Sequence, residues 1–186
     1  MFLRTADRIF ALRFLRLLTT PWKKTGAYKE GIIDDKGRKL RKPKTAKEKN
    51  VYNLFHKLVF NLKRLLNKIP FGKSTLASYA AALWLIKEHT GLSEKLLAEC
   101  LYEYTGYNPM KDAESVQNIP LKEGRHQIAE HVILKDGSML VAEALEVKIS
   151  KQPKMIGTIF GYDIVEGTHL STNQPVLVCR GKPKDI

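Results

Sequence analysis

The sequence predicts an α+β protein, a basic N-terminal bundle of about four helices followed by a small antiparallel β-rich domain. Apolar residues first recur at helical spacing and then, after Gly106, in alternation with polar ones. The charge divides at nearly the same place. Residues 1–73 carry 20 Lys and Arg against 5 Asp and Glu, whereas residues 74–186 carry 12 against 14, so the first part holds all the excess behind the net charge of +13. The third observation is the punctuation between segments, where Pro21, Thr45, Pro70, Gly72, Gly91 and Gly106 break or cap helices. Together these divide the chain into a helical region at 1–106, a linker at 107–123 and a β-rich domain at 124–186.

The first helix is predicted over Phe2–Leu18, with Leu3, Phe10, Phe14, Leu17 and Leu18 on one side and Arg4, Arg8 and Arg16 largely on others. Thr19-Thr20-Pro21 ends it, because proline lacks the backbone donor and disfavours helical geometry in the residue before it. Residues 22–44 read as an irregular stretch or short hairpin around the turn Asp35-Lys36-Gly37. A second helix is predicted from Thr45, where Thr45 and Glu48 form a capping box, to about Ile69. Tyr52, Phe55, Val59, Leu62 and Leu66 give it an apolar face, and Lys57, Lys63, Arg64 and Lys68 line the rest. A third helix is expected over Ser74–His89, and a fourth runs from a Ser93 cap to about Tyr104. Beyond a polar connection at Asn108–Asn118, Ile128–Leu134 and Met139–Ile149 read as a hairpin around Asp136-Gly137. Strands are also expected over Ile156–Val165 and Val176–Cys179, with Gly157, Gly161 and Gly167 as bends or bulges.

Composition restricts function. No run approaches the ~18 apolar residues that a membrane span needs, and arginines interrupt the apolar N-terminus, which disfavours a secretory signal. Cys100 and Cys179 are far apart and lack metal-type spacing, which suits buried, reduced thiols. Neither a cofactor nor a small-molecule substrate is implied, nor a membrane partner. The concentrated positive charge calls for a polyanion, and Lys23, Lys24, Lys29, Arg38, Lys39, Arg41, Lys42 and Lys44 are the candidate contacts. Trp22 and Tyr28 lie among these lysines, so base stacking and packing under the first helix are both open.

The catalytic motifs are weak, and the expectation is a protein without an enzyme active site. Gly72-Lys73-Ser74 lacks the glycine that a phosphate-binding loop requires five positions earlier, where Asn67 stands inside a helix. Asp136, Glu146 and Lys148 have the order used by Mg²⁺-dependent nucleases. A turn followed by an exposed strand face yields the same three residues, and that reading is preferred. His126 and His131 lack further ligands at metal spacing, and His56 sits among apolar residues as a boundary histidine would.

The stretches Leu12–Trp22, Thr25–Lys29, Gly31–Asp34, Phe55–Lys63 and Leu76–Ala82 resemble a family of T-even-like bacteriophages, the small prohead core proteins of the internal scaffold around which the capsid assembles. The resemblance covers roughly residues 10–90 and stops short of the β-rich part. It implies a structural protein of the virion or prohead in the bacterial host cytoplasm, with capsid or scaffold proteins and packaged DNA as partners and a homo-oligomer as an open possibility. It also implies cleavage by a prohead protease after Glu with Leu or Ile two residues earlier. Seven of the twelve glutamates satisfy that rule, Glu88, Glu94, Glu99, Glu103, Glu123, Glu130 and Glu166, where random placement gives about two or three. Glu123, at the entry to the β region, is the preferred site because cleavage needs accessible backbone. A sequence-independent DNA-binding protein of phage replication or recombination is the alternative, and a Mg²⁺-dependent nuclease the third reading.

Overall fold

The computed structural model describes residues 5–116, 118–128, 132–134, 139–140, 145–180 and 183–185. It has the predicted α+β class, with helices through the N-terminal part and an antiparallel sheet after them. Helix α1, Thr5–Thr19, buries Phe14 and Leu18 of the expected face together with Ala11, while Phe10 and Leu17 are half-buried and Leu3 lies outside the described residues. The irregular stretch that follows contains a 3-10 turn at Trp22–Lys24 and a short helix α2, Gly26–Lys29, capped by Thr25.

The single helix expected over 45–69 is two helices. The capping box at Thr45 and Glu48 starts α3, Ala46–Val51, as predicted, but α3 ends at Tyr52. The side chain of Asn53 then accepts a hydrogen bond from the His56 amide at 3.2 Å and starts α4, Leu54–Leu66. The break lets Tyr52 turn into a small cluster with Ala27, Ile32, Ile33 and Phe60, beneath the irregular segment. Continuous apolar periodicity across residues 52–55 conceals this kink, whereas asparagine as an N-cap reveals it.

Helix α5, Leu76–Thr90, packs on α4 and also against the sheet. Its alanines at 80, 81 and 82 permit that close approach on two sides. Gly91 ends it in the left-handed region, and Ser93 caps α6, Glu94–Thr105, by accepting from the Leu96 amide at 3.2 Å. Within the predicted polar connection the chain forms a 3-10 segment, Pro109–Ser115. There Asp112 accepts from the Tyr107 hydroxyl at 2.8 Å and pairs with Lys73 at 3.1 Å.

The eight strands are β1 Gly124–Ile128, β2 Val132–Leu134, β3 Met139–Leu140, β4 Leu145–Ile149, β5 Met155–Ile159, β6 Tyr162–His169, β7 Pro175–Cys179 and β8 Pro183–Asp185. They pair in the order β3-β2-β7-β6-β4-β1-β8, with β5 beside the first half of β6. The predicted hairpin exists as two paired stretches, β1 with β4 and β2 with β3, while its turn at Asp136-Gly137 lies outside the described residues. The strand expected over 156–165 is instead a hairpin. Phe160 and Gly161 both have positive φ, 46° and 80°, and form a two-residue turn joining Ile159 to Tyr162. The turn escapes sequence reading because phenylalanine rarely takes that conformation. Gly157 marks a register shift as predicted, whereas Gly167 lies in regular pairing and its missing side chain makes room for Val147 and Val178.

Alternation then gives the sheet two apolar faces. Ile164, Leu177 and Cys179 join the helical core, while Val165, Val176 and Val178 join Ile128, Leu145, Val147 and Ile149 in a second cluster. Helices and sheet therefore share one core. The carboxylate of Glu94, in the first turn of α6, fastens this junction by accepting from the buried Phe160 amide at 3.1 Å and from Lys87 Nζ at 3.1 Å. Glu94→Ala leaves that amide without its acceptor, and a loss of about 2 kcal/mol is the expected result in urea unfolding.

Candidate polyanion-binding platform

The basic segment between α1 and α4 is folded, and its own carboxylates fold it. Asp34 accepts from the Lys36 and Arg38 amides at 2.9 and 2.8 Å and pairs with the Arg38 guanidinium at 2.6 Å, closing a turn around Gly37. A bridge between Ile33 and Lys39 continues it. Glu30 pairs with Lys47 at 2.7 Å and so ties the segment to α3. Arg41 pairs with Glu48 at 2.8 Å and also donates to the Glu30 carbonyl. The hydrogen bond from Arg41, followed by that from the Lys44 amide, lowers the Glu48 carboxyl to about 2.

Two cations of α4 hold the segment from below, where the sequence placed them on the open side of the helix. Lys63 is buried, donates to the carbonyls of Leu17 and Thr20 at the end of α1, and lies 4.4 Å from the Trp22 ring centroid. An ammonium there complements the negative end of the helix dipole, although burial pulls its pKa below the usual lysine value. Arg64 donates to the Gly37 carbonyl at 2.9 Å and to the Asn61 side chain. Lys63 stands four residues after Val59 and three before Leu66, within the apolar face, and that spacing is the signal by which it could have been found.

Trp22 is an anchor. Its ring meets Phe60 edge-on with centroids 5.2 Å apart, and Gly37 covers it so closely that a Cβ there would lie 2.6 Å from the ring. With φ at +76°, Gly37 also holds a conformation that glycine alone adopts readily. Tyr28 is half-buried in the same cluster.

The candidate contacts fall into two groups. Lys23, Lys24, Lys29, Lys39, Lys42 and Lys44 are exposed, and among the described residues no carboxylate pairs with them. Arg38 and Arg41 are instead part of the scaffold that presents those lysines. A polyanion reaching this surface would meet exposed lysine ammonium groups on a loop tied down by Asp34, Glu30 and Glu48, with Leu40 as its exposed apolar residue.

The remaining candidates are dispersed. Glu146 and Lys148 lie on the exposed face of β4 opposite Gln127 and Arg125, while Asp136 and His131 lie outside the described residues. Among the described residues no group of three His, Cys, Asp or Glu side chains could hold a metal ion. Nor is any helix among them long and apolar enough to cross a membrane. Lys73 and Ser74 border an open groove of about 560 Å³ with Asp112, Ser115, Val116 and Tyr162. His126 is buried, its Nε2 2.7 Å from the Lys122 carbonyl. Cys100 is buried too, and burial, then the charges of Glu103 and Glu99, push its thiol up to about 11. Of the glutamates that fit the cleavage rule, Glu88, Glu94, Glu99 and Glu103 sit in helices and Glu166 in β6, and Glu130 is outside the described residues. Glu123 is exposed, outside any helix or strand, immediately before β1.

His56 is a boundary histidine, with Nδ1 2.8 Å from Asn53 Oδ1 and its ring edge-on to Phe55 and Phe60. Burial first, and the charge of Arg13 second, lower its pKa to about 4. An unfolded chain therefore takes up a proton near 6.5 that the folded chain refuses until about 4, so stability falls as pH drops through that window. Between pH 7 and pH 5 the expected loss is about 1 kcal/mol. Thermal melts across those pH values check it, and His56→Gln is expected to flatten the dependence.

The fold and this surface define an α+β protein that carries a rigid basic platform. Comparison with protein-family models, curated proteins and solved structures found no match.

Proposed function

We propose that this chain is a non-enzymatic structural protein of a bacteriophage particle, acting in capsid assembly, whose basic platform holds packaged DNA by its phosphates. The observation that carries the DNA contact is the division of charge within the platform. Glu30, Asp34 and Glu48 are consumed in folding the loop, and the six candidate lysines and Lys36 remain exposed without carboxylate partners among the described residues, against one exposed acid, Asp35. Such a surface neutralises a phosphate backbone and releases its counterions without reading bases.

Two features favour DNA over an acidic scaffold protein. Protein interfaces centre on buried apolar and aromatic residues, and the platform exposes Leu40 alone among its large apolar side chains. Its aromatic rings, Trp22 and Tyr28, are half-buried against the cluster beneath, which reduces the stacking surface that single-stranded binding uses. Equal or tighter binding of duplex than of single-stranded DNA is therefore the expected result. The assembly role rests on the resemblance of residues 10–90 to prohead core proteins.

Mass spectrometry of the chain in immature and mature particles tests that role. Whole chain in immature particles and fragments ending at Glu123 in mature ones is the expected result, because that residue is accessible and outside regular structure. Absence of the chain from both particles would reject the assembly role in favour of DNA binding in replication or recombination.

A further inference from the structure

The outer side of α1 and the neighbouring outer side of α6 form a second surface, unlike the platform. On α1, Ile9 and Leu12 are 51% and 67% exposed, and Arg8 and Arg16 flank them in solvent. On α6, Tyr102 is 52% exposed, with Glu99, Glu103 and, one turn before Glu99, Lys95 exposed on the same side. The helices pack directly on each other, with Cys100 Sγ 4.0 Å from the Ala11 carbonyl. Yet among the described residues neither arginine pairs with either glutamate. One helix thus offers apolar residues with cations, and the C-terminal two turns of the one beside it offer an aromatic residue with two anions, after Lys95 in its first turn.

We propose that this two-helix face binds a second copy of the chain about a two-fold axis. The rotation lays α1 of each protomer on α6 of the other, so that Arg8 and Arg16 meet Glu99 and Glu103 twice while Ile9 and Leu12 cover Tyr102. An isologous interface needs this self-complementarity. Other occupants fit less well. An anionic lipid surface or a nucleic acid would be drawn to the arginines but repelled by the acidic row beside them. At 1.5 Å per residue the 15-residue and 12-residue helices are about 22 and 18 Å long. A face of that length and two helices wide buries roughly 900 Å² in total, below the standard size, so the association is weak and depends on concentration.

Sedimentation velocity of the full chain from about 1 to about 100 µM tests the proposal. The expected result is a shift from monomer to dimer across that range, abolished by Leu12→Glu. The stronger test uses two charge variants, Arg8→Glu with Arg16→Glu in one chain and Glu99→Lys with Glu103→Lys in another. Alone, each juxtaposes like charges and stays monomeric; mixed, they restore complementarity at both contacts and dimerise, a rescue that a misfolded variant cannot give. A chain that is monomeric throughout the range overturns the proposal. So does a dimer that Leu12→Glu leaves intact, or a mixture of the charge variants that stays monomeric.

Discussion

Replacing Lys23, Lys24, Lys29, Lys39, Lys42 and Lys44 together with glutamine is expected to weaken binding of duplex DNA at least ~100-fold near 0.1 M salt. Thermal stability should hardly change, since exposed substitutions away from a structural contact shift it by roughly 0.5 kcal/mol or less. These six side chains are exposed and have no carboxylate partner among the described residues. Arg41→Gln is expected to behave in the opposite way. It removes the partner of Glu48 and the donor to the Glu30 carbonyl, so it should lower the melting temperature while leaving the salt dependence of binding almost unaltered. Fluorescence anisotropy with labelled duplex, run beside thermal melts, measures both responses and separates contact residues from scaffold residues within one basic run.

The second large effect is on stability. Trp22→Ala is expected to cost about 3 kcal/mol in urea unfolding, because the ring supports Phe60, is covered by Gly37 and receives the Lys63 ammonium on its face. Its loss leaves a cavity below the platform and takes from a buried cation its aromatic neighbour. Affinity of the still-folded protein for DNA, and the salt slope of that affinity, should match the parent chain. A ring that stacked on bases would give the reverse pattern, with binding lost and stability retained.

Much of this architecture is legible in the sequence, and the exceptions have physical causes. The burial of Phe14 and Leu18, the capping box at Thr45 and the stops at Gly91 and Gly106 follow from local rules of spacing and capping. The kink at Tyr52-Asn53 is marked locally only by Asn53 as an N-cap, against a continuous apolar period, and the turn at Phe160-Gly161 not at all, because in each a distant contact overrides local preference. Tyr52 leaves the helix to reach Ile32 and Phe60, and the Phe160 amide is held by Glu94, far away in sequence. The candidate site divides along the same line. That the region is basic follows from composition alone; that Arg38 and Arg41 fold it while six lysines face solvent depends on where Asp34, Glu30 and Glu48 come to rest.

The proposed function requires that the exposed lysines of the folded platform bind the phosphates of DNA. Its most direct test is the affinity of the unmodified chain for a labelled duplex over a series of salt concentrations. With five or six phosphates neutralised, log affinity should fall linearly with log salt with a slope of about −5, and single-stranded DNA should bind no more tightly. Absence of binding at the lowest salt, or an affinity that salt does not alter, would contradict the account.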